Sequence, residues 1–315
     1  MVGRSSAFRD LIRLIDKIAE YDAAVLVEGE TGTGKELAAR AIHYRSRRGE
    51  HPFVPVNCGA IPDTLFESEL FGHRRGAFTD ARDDQPGLVG LAQRGTLFLD
   101  EIDTLSPKGQ VSLLRFLQDQ QFRPVGGRTL QQADVRIIAA SNKDLDKLAG
   151  TEQLRTDLLY RLKLMRLRLP PLRERFGDAE LLAEHFVRTG SARFGKPAKT
   201  IARDTLAWFD RYSWPGNIRE LEHLVYHEFL MSDGAEIVIE APRELRGHSP
   251  GCETEITYRQ AKATAIETFE RQFLGALMTR AQGSISAAAR LVGTERRHLG
   301  RLLRRYSIDV TRERR

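Results

Sequence analysis

Residues Gly29 to Lys35 read Gly-Glu-Thr-Gly-Thr-Gly-Lys and stand between a short apolar run and a helical pattern. The apolar run, residues 24–27, predicts a strand, and the pattern over residues 35–45 predicts a helix. Glycines here let backbone N–H groups converge on phosphate oxygens, while the helix start adds its positive dipole end and Lys35 reaches the terminal phosphates. In this strand and helix context, the stretch predicts a phosphate-binding loop.

Outward from this loop, short apolar runs alternate with helical patterns from Ala23 to about Leu169. The predicted strands are residues 24–27, 53–56, 96–99 and 135–140, and the predicted helices are residues 35–45, 63–71 and 107–118. This alternation is typical of a parallel sheet covered by helices. After Pro170 and Pro171 the strands stop, and residues 179–194, 204–212 and 217–231 predict a helical subdomain.

Charge is unevenly divided along the 315 residues, which are too many for one compact core. The last 59 residues hold 13 of the 49 Lys and Arg but only 5 of the 43 Asp and Glu, an excess of eight positive charges. The rest of the chain is almost neutral. We therefore expect the C-terminal part to contact a polyanion.

Cysteine content and hydropathy bear on the compartment. Cys58 and Cys252 are the two cysteines, and neither stands in a spacing typical of zinc sites or disulfide frameworks. No apolar run approaches the roughly 20 residues that cross a bilayer, and the N-terminus lacks the apolar core of a signal peptide. These features predict a cytoplasmic chain without a membrane partner.

Two acids follow the predicted strand that begins at Thr96. Asp100 is expected to hold Mg²⁺, directly or through water, and Glu101 to orient the attacking water. Asn142 follows another strand at the sheet edge where ligands of such folds bind. Arg155 and Arg161 are candidates for stabilising transition-state charge, although arginines on a helix are more often a solvated face.

The basic tail predicts a helix-turn-helix. A linker at residues 241–256 and a long helix at 258–278 precede two short helices, 286–291 and 295–306, with a tight turn at 292–294. The second helix carries the candidate DNA contacts Arg296, Arg297, Arg301, Arg304 and Arg305. Leu299, Leu302 and Leu303 form its packing face, which leaves most arginines free for DNA. The long helix is expected to pair two copies on a palindromic site.

These motifs, taken in order, resemble the central AAA+ domain of bacterial enhancer-binding proteins, the ATPases that activate sigma-54 RNA polymerase, followed by a Fis-type domain. The motifs that carry the resemblance are Gly-Glu-Thr-Gly-Thr-Gly-Lys-Glu at 29–36, Asn-Cys-Gly-Ala-Ile from Asn57, Glu-Leu-Phe-Gly-His from Glu69, Leu-Pro-Pro-Leu-Arg-Glu-Arg from Leu169, and Trp-Pro-Gly-Asn-Ile-Arg-Glu-Leu from Trp214. The resemblance covers nearly the whole chain. It also accounts for Glu36, which stands where a generic phosphate-binding loop has Ser or Thr and where glutamate is usual in this family.

The resemblance implies roles that spacing alone does not show. Nucleotide-binding positions are Val2, Gly3, Gly29, Glu30, Thr31, Gly32, Thr33, Gly34, Lys35, Glu36 and Arg219, the last as sensor II on the lid. Asn57 matches the switch residue that holds Glu101, and Asn142 matches sensor I. Arg155 and Arg161 match arginine fingers that reach a neighbouring subunit, which implies a ring, expected to be a hexamer. We also expect Asn217 to cap the helix of Arg219, with Glu220 completing a capping box.

The loop that resembles the sigma-54 contact departs from the family at one position. Its residues are Gly76, Ala77, Phe78, Thr79, Asp80 and Ala81, with Asp80 in place of the family's second glycine. Aspartate restricts the backbone and adds a negative charge, whereas Phe78 and Thr79, the contacting pair, are intact. A second loop with Gly126 and Gly127 resembles the companion insertion that moves with the first.

The sequence thus predicts an α/β AAA+ P-loop NTPase subdomain at 1–170, a helical lid at 171–240, the linker at 241–256, and a small all-α helix-turn-helix domain at 257–315. The expected function is ATP-driven opening of sigma-54 promoters from an upstream DNA site, controlled by a regulatory protein or by a segment outside this sequence. Asp80 keeps a regulator that acts without sigma-54 as an alternative. The second alternative is a remodelling ATPase whose tail serves assembly rather than DNA binding.

Overall fold

The computed structural model describes residues 1–79, 81–151, 153–242, 270, 273–274, 277–278, 280–281, 284–294 and 296–305, with only the backbone for residues 304 and 305. Two compact units divide the chain, Met1–Gly247 and His248–Arg315. The elements of the first unit, with three short 3-10 turns omitted, are α1 (Ser6–Ala19), β1 (Val25–Glu28), α2 (Lys35–Tyr44), β2 (Phe53–Asn57), α3 (Phe66–Phe71), β3 (Gly72–His73), β4 (Gln85–Pro86), α4 (Leu88–Leu91), β5 (Thr96–Asp100), α5 (Pro107–Asp119), β6 (Gln121–Phe122), β7 (Gln131–Gln132), β8 (Arg136–Ser141), α6 (Leu145–Leu148), α7 (Thr156–Leu162), β9 (Met165–Arg168), α8 (Asp178–Phe194), β10 (Thr200–Ile201), α9 (Arg203–Phe209), α10 (Asn217–Met231) and β11 (Glu236–Ile237).

A five-stranded parallel sheet forms the centre of the first unit, with the strand order β2-β5-β8-β1-β9. The strands β1 and β8 are buried along their whole length and β5 along all but its last residue, because helices cover both faces of a parallel sheet. The predicted α/β class is confirmed. The edge strand β9 was not predicted, since its Met-Arg-Leu-Arg sequence buries only Leu167 fully.

Two apolar clusters lie on the faces of the sheet. One packs β5 and β8 residues such as Leu97 and Ile137 with α3, α5 and α7, and the other packs Phe98 and Ile138 with α1 and α2. Helix α1 is an element that the sequence analysis missed. Ser5 caps it by accepting a hydrogen bond from the Phe8 N–H.

The lid consists mainly of α8, α9 and α10 around a separate aromatic core. Trp208, Phe209, Trp214 and Phe229 fill this core. The expectation that strands end at the proline pair is wrong in one detail, because β10 and β11 pair in parallel over two residues each. This ladder joins the loop before α9 to the segment after α10, which are adjacent in space although far apart in sequence.

The second unit contains the two helices of a helix-turn-helix, α11 (Ile285–Leu291) and α12 (Arg296–Arg305). Gly293 has a φ of 64° in the turn between them, a conformation that glycine adopts without strain. Ala288, Leu299 and Leu303 are buried in the core of this unit. Most of the predicted linker, residues 243–256, and most of the predicted long helix, residues 258–278, lie outside the described residues. Among the residues that are described, no helix has the length and apolar composition that crossing a membrane requires.

Candidate active site

The loop between β1 and α2 is a cradle of backbone N–H groups. Gly32 and Gly34 have φ values of 79° and 92°, and Gly34 precedes α2 without any side-chain cap. The first N–H groups of α2 are therefore directed at the loop, where an anion is favoured by both hydrogen bonding and the helix dipole. The Lys35 ammonium donates to the Gly29 carbonyl at 2.9 Å, and its burial lowers its pKa.

The two acids at the end of β5 lie beside this cradle. Asp100 is half-buried, and burial raises the pKa of its carboxyl although the Glu101 N–H donates to it at 2.9 Å. Both acids line a cavity of about 410 Å³ together with the phosphate-binding loop. The cavity therefore combines N–H donors, an ammonium and two carboxylates, which is the set that phosphoryl transfer requires.

Asn57 ends β2 opposite Asp100 in the neighbouring strand. Its amide oxygen accepts a hydrogen bond from the Gly59 N–H at 2.8 Å, rather than bonding to Glu101. A methyl group on Gly59 would lie 2.9 Å from Glu101 Oε2 and 3.3 Å from Asn57 Oδ1. Asn57 and Glu101 thus both approach Gly59.

The cavity lining contains eleven of the seventeen predicted catalytic and nucleotide-binding residues. The predicted residues that line it are Val2, Thr31, Gly32, Thr33, Gly34, Lys35, Glu36, Asp100, Glu101, Asn142 and Arg219. Further lining residues that were not predicted are Met1, Phe8, Leu37, Arg175, Leu182, His185, Phe186, Ile218 and Glu222. Many of the residues in this second group are apolar and come from α1, α8 and α10. These residues reach the cavity because helices far apart in sequence pack together, and such packing has no local sequence motif that could have identified them.

Glu30 faces the lid rather than the cavity. Its carboxylate accepts two hydrogen bonds from Arg173, at 2.5 and 2.8 Å, and one from the Asn217 amide at 3.1 Å. These bonds, those of Arg173 first, lower the pKa of Glu30 to about 2. Glu30 therefore ties the phosphate-binding loop to the lid.

Asn217 joins the loop and the lid from the other side. It is fully buried with a φ of 50°, donates to the Thr31 carbonyl at 3.0 Å and accepts from the Leu172 N–H at 2.8 Å. The prediction that Asn217 caps α10 is wrong. The capping position belongs to Gly216, whose N–H donates to Glu220 at 2.8 Å.

Backbone atoms also connect the phosphate-binding loop to α10, and we call this connection the joint. The Ile218 N–H donates to the Gly32 carbonyl at 3.0 Å, and a methyl group on Gly32 would lie 2.1 Å from the Gly216 carbonyl oxygen. The loop and α10 thus approach each other as closely as main chains can. Arg219, one residue further along α10, lines the cavity from the lid side.

Gly3, Arg155 and Arg161 lie outside the cavity lining, whereas Asn142 lines the cavity and also contacts the phosphate-binding loop. Gly3 packs behind the lining, because a methyl group there would be 2.5 Å from the Phe8 ring. Asn142 reaches the loop, where its amide lies 3.3 Å from Thr31 Oγ1. Arg155 and Arg161 do not line the cavity of their own chain; Arg155 precedes α7, pairs with Asp157 at 2.8 Å and is half exposed.

The loop that begins at Gly76 lies between the antiparallel strands β3 and β4. The Gly76 N–H donates to the Ala81 carbonyl at 2.8 Å, and the Phe78 side chain, whose residue is 39% exposed, packs on His73 with ring centres 4.8 Å apart. Asp80 lies outside the described residues. The second loop supports the first, since a methyl group on Gly126 would lie 2.8 Å from Ala77 Cβ.

Three of the five predicted DNA-contacting arginines of α12 have described side chains. Arg296, Arg297 and Arg301 are exposed, whereas Leu299 and Leu303 are buried on the packing face. The side chains of Arg304 and Arg305 lie outside the described residues. The exposed side of α12 is therefore strongly basic, as a recognition helix requires.

Known families and proteins match each part of the chain. Residues 1–168 match the Sigma-54 interaction domain, residues 173–255 the AAA+ ATPase lid domain, and residues 265–306 the bacterial regulatory proteins of the Fis family. The regulatory protein AtoC of Escherichia coli is 40% identical over 98% of this chain and 68% of its own length. The DNA-binding transcriptional regulator NtrC of Azospirillum brasilense is 38% identical over 99% of this chain and 70% of its own length.

A solved structure shows the same likeness. NtrX from Brucella abortus in complex with ATP has a TM-score of 0.73 and 33% identity, covering 98% of this chain and 70% of that one. Its complex with ADP has a TM-score of 0.71. The chain thus spans about two thirds of the length of these relatives. It belongs to the sigma-54-dependent transcriptional regulators, with a Sigma-54 interaction domain, an AAA+ lid and a Fis-family helix-turn-helix.

Proposed function

We propose that the chain hydrolyses ATP to ADP and phosphate and uses this cycle to drive residues 76–81 against sigma-54 in the closed promoter complex, so that the promoter opens. The observation that carries the proposal is the single cavity lined by Lys35, Asp100, Glu101, Asn142 and Arg219. Nucleotide binding to this cavity is also supported by the ATP and ADP complexes of the NtrX relative. We also propose a cytoplasmic location, because the two proposed partners, DNA and RNA polymerase, are found there.

Each part of the cavity has a role in this reaction. The loop from Gly29 to Lys35 binds the phosphates through its N–H groups, and the apolar lining around Val2 receives the base. Glu101 polarises the attacking water, which forms a bond to the γ-phosphorus as the bond to the β,γ-bridging oxygen breaks. Asn142 and Arg219 contact the terminal phosphate from the sheet and the lid. Asn57, whose amide oxygen accepts from the Gly59 N–H in this structure, would hold Glu101 in another nucleotide state until nucleotide and partner release it.

Mg²⁺ fits the residues present. This ion is usually held by one or two carboxylates together with substrate phosphates, and Asp100 supplies such a carboxylate at the cavity. Glu36, at the position where a generic phosphate-binding loop has Ser or Thr, pairs with Arg40 at 2.8 Å. Within the described residues there is no group of three or more His, Cys, Asp or Glu side chains that could hold a metal ion by themselves. Bound there, Mg²⁺ would neutralise charge that develops on the phosphates.

We further propose that the active assembly is a hexameric ring in which Arg155 and Arg161 reach the neighbouring subunit's ATP. Neither arginine lines its own cavity, and both are exposed, as a contact in trans requires. Two copies would bind an upstream palindromic DNA site through α12. A regulatory protein is a further proposed partner.

Transcription with purified sigma-54 polymerase tests the proposal. ATP-dependent open complexes are expected from the wild-type chain, and Glu101→Gln should abolish turnover while ATP still binds. Lys35→Ala should lose ATP binding itself. ATPase activity without open complexes would favour the alternative that Asp80 motivates, a regulator acting without sigma-54, and Asp80→Gly run in parallel shows whether that residue is the cause.

A further inference from the structure

We propose that Arg175 and Asp178 are a positioning pair for the nucleotide. They hold the N-terminal segment of residues 2–5 against the lid and so build the wall that receives the base. This inference rests on the proposed binding of ATP and deepens it. The pair itself was not among the predicted site residues, because its contacts join positions more than 170 residues apart in sequence.

Asp178 begins α8 and is fully buried. Its carboxylate accepts four hydrogen bonds, from the Arg4 N–H at 2.6 Å, the Ser5 N–H at 2.9 Å, the Ser5 hydroxyl at 2.9 Å and Arg175 Nε at 2.9 Å. A carboxylate offers about four lone-pair sites, so all of them are used. Three of the four donors belong to the N-terminal segment, which Asp178 therefore holds in one position.

Arg175 holds the same segment from the other side. It is 3% exposed, and its Nη2 donates to the Val2 carbonyl at 2.9 Å. Its guanidinium lies over the Phe8 ring at 4.8 Å from the ring centre. Gly3 fits between them only because it has no side chain, since a methyl group would lie 2.8 Å from Arg175 Nη2.

The pair connects two parts of the cavity lining. Val2, Phe8 and Arg175 line the cavity, and so do Leu182 and Phe186, one and two turns beyond Asp178 on the same helix. The segment that Asp178 holds leads directly into α1, which packs on the sheet. One buried ion pair thus sets the position of Val2 relative to both α8 and the sheet.

The free-energy cost of burying two charged groups indicates that the pair serves positioning more than stability. Removing a carboxylate and a guanidinium from water costs several kcal/mol per ion, and well-packed apolar side chains would often stabilise a fold as much. What an ion pair with six directed contacts adds is orientation. Here that orientation is imposed on the residues around the base.

The test separates binding of the base from binding of the phosphates. Asp178→Asn and Arg175→Lys are measured for affinity toward a non-hydrolysable ATP analogue, the matching GTP analogue and tripolyphosphate, using calorimetry. Arg175→Lys keeps the charge but cannot contact Asp178, Val2 and Phe8 together. We expect ATP-analogue affinity to fall about tenfold, which is 1.4 kcal/mol, and the preference over the GTP analogue to shrink, with tripolyphosphate affinity unchanged. In turnover assays KM should rise with little change in kcat.

A matched control is Arg48→Gln, which removes another largely buried arginine, paired with Asp22 and Asp134. It should leave all three affinities unchanged. Equal loss of ATP-analogue and tripolyphosphate binding, or no change in either, would overturn the positioning role. Lys35→Ala must lose all three ligands; if it does not, the proposed ATP site fails instead, so the two failures can be told apart.

Discussion

Glu101 has a backbone conformation that is unusual for a residue with a side chain, with φ 54° and ψ 44°. Such strain persists where the surroundings impose it, and here it directs the carboxylate that we propose to polarise water. The sequence predicted Glu101 and its neighbour Asp100, because acids after an apolar strand are a local pattern. It did not predict the strain or the approach of Gly59, which depend on how β2 and β5 end side by side.

Gly59→Ala tests this geometry. The added methyl group would displace Glu101 Oε2 from its position 2.9 Å away. We expect ATP turnover to fall about tenfold or more, since a misplaced catalytic group loses oriented contact with its substrate, while nucleotide affinity is retained. Phosphate release and calorimetry measure the two quantities. Gly90→Ala, whose methyl group meets nothing closer than 3.9 Å, is the control, and an unchanged rate for Gly59→Ala would contradict the role of Glu101.

Glu30 provides a prediction in pH. Its pKa is lowered from 4.5 to about 2 by Arg173 and Asn217, so its charged form is favoured by folding. The stabilisation is fully present above pH 4.5 and is lost as the pH falls from there toward 2. Wild type should therefore melt at a higher temperature than Glu30→Gln at pH 7, with the gap closing below pH 4.5. Calorimetric scans at several pH values measure the gap, and a constant gap would show that Glu30 acts without its charge.

At the scale of elements, local sequence patterns predicted what local interactions determine. The strands β1, β5 and β8 are continuous apolar runs, and α10 begins and ends where its periodicity indicates. The edge strand β9 and the α1 contacts with the lid were not predicted. Asn217 shows why, because its residue type suits a helix cap but tertiary contacts with Thr31 and Leu172 take its side chain.

The contact between the two loops gives a prediction at this scale. Gly126 has a φ of 74°, and a methyl group added to it would lie 2.8 Å from Ala77 Cβ. Gly126→Ala should displace residues 76–81 and weaken sigma-54 binding several-fold, without loss of ATPase activity. Gly150→Ala is a matched control, since Gly150 also has a positive φ, 83°, but open space around it.

Binding of sigma-54 in the presence of a transition-state analogue of ATP hydrolysis measures the effect of Gly126→Ala on the contact loop. Phosphate release measures ATPase activity. Equal binding by Gly126→Ala and wild type would mean that the second loop does not support the first. If Gly150→Ala lost as much binding as Gly126→Ala, backbone strain alone would account for the result.

The whole molecule combines a nearly neutral nucleotide-binding part with a basic C-terminal part, whose last 59 residues carry an excess of eight positive charges. The division was predictable because it depends on composition alone. Assembly is a different matter, because the proposed finger role of Arg155 and Arg161, which lie outside the cavity of their own chain, requires a second copy that supplies the nucleotide.

Mixing inactive subunits tests assembly directly. Glu101→Gln lacks a working cavity but keeps its arginines, and Arg161→Ala lacks the finger but keeps its cavity. In a head-to-tail ring each site joins a cavity to a neighbour's finger, so an equal mixture should regain activity at about a quarter of its sites. Phosphate release by the mixture and by each variant alone measures this. No recovery on mixing, with rings still formed, would contradict action in trans.

The joint between Gly32 and α10 has a consequence for how such proteins can be recombined. Its central contacts, the Ile218 N–H to the Gly32 carbonyl and the approach of the Gly216 carbonyl, are made by main-chain atoms. Every residue type except proline carries the same main-chain groups, so this part of the joint does not depend on side-chain identity at residue 218. A chimera that takes its lid from a relative is expected to keep these contacts, provided that the glycine at position 32 is retained.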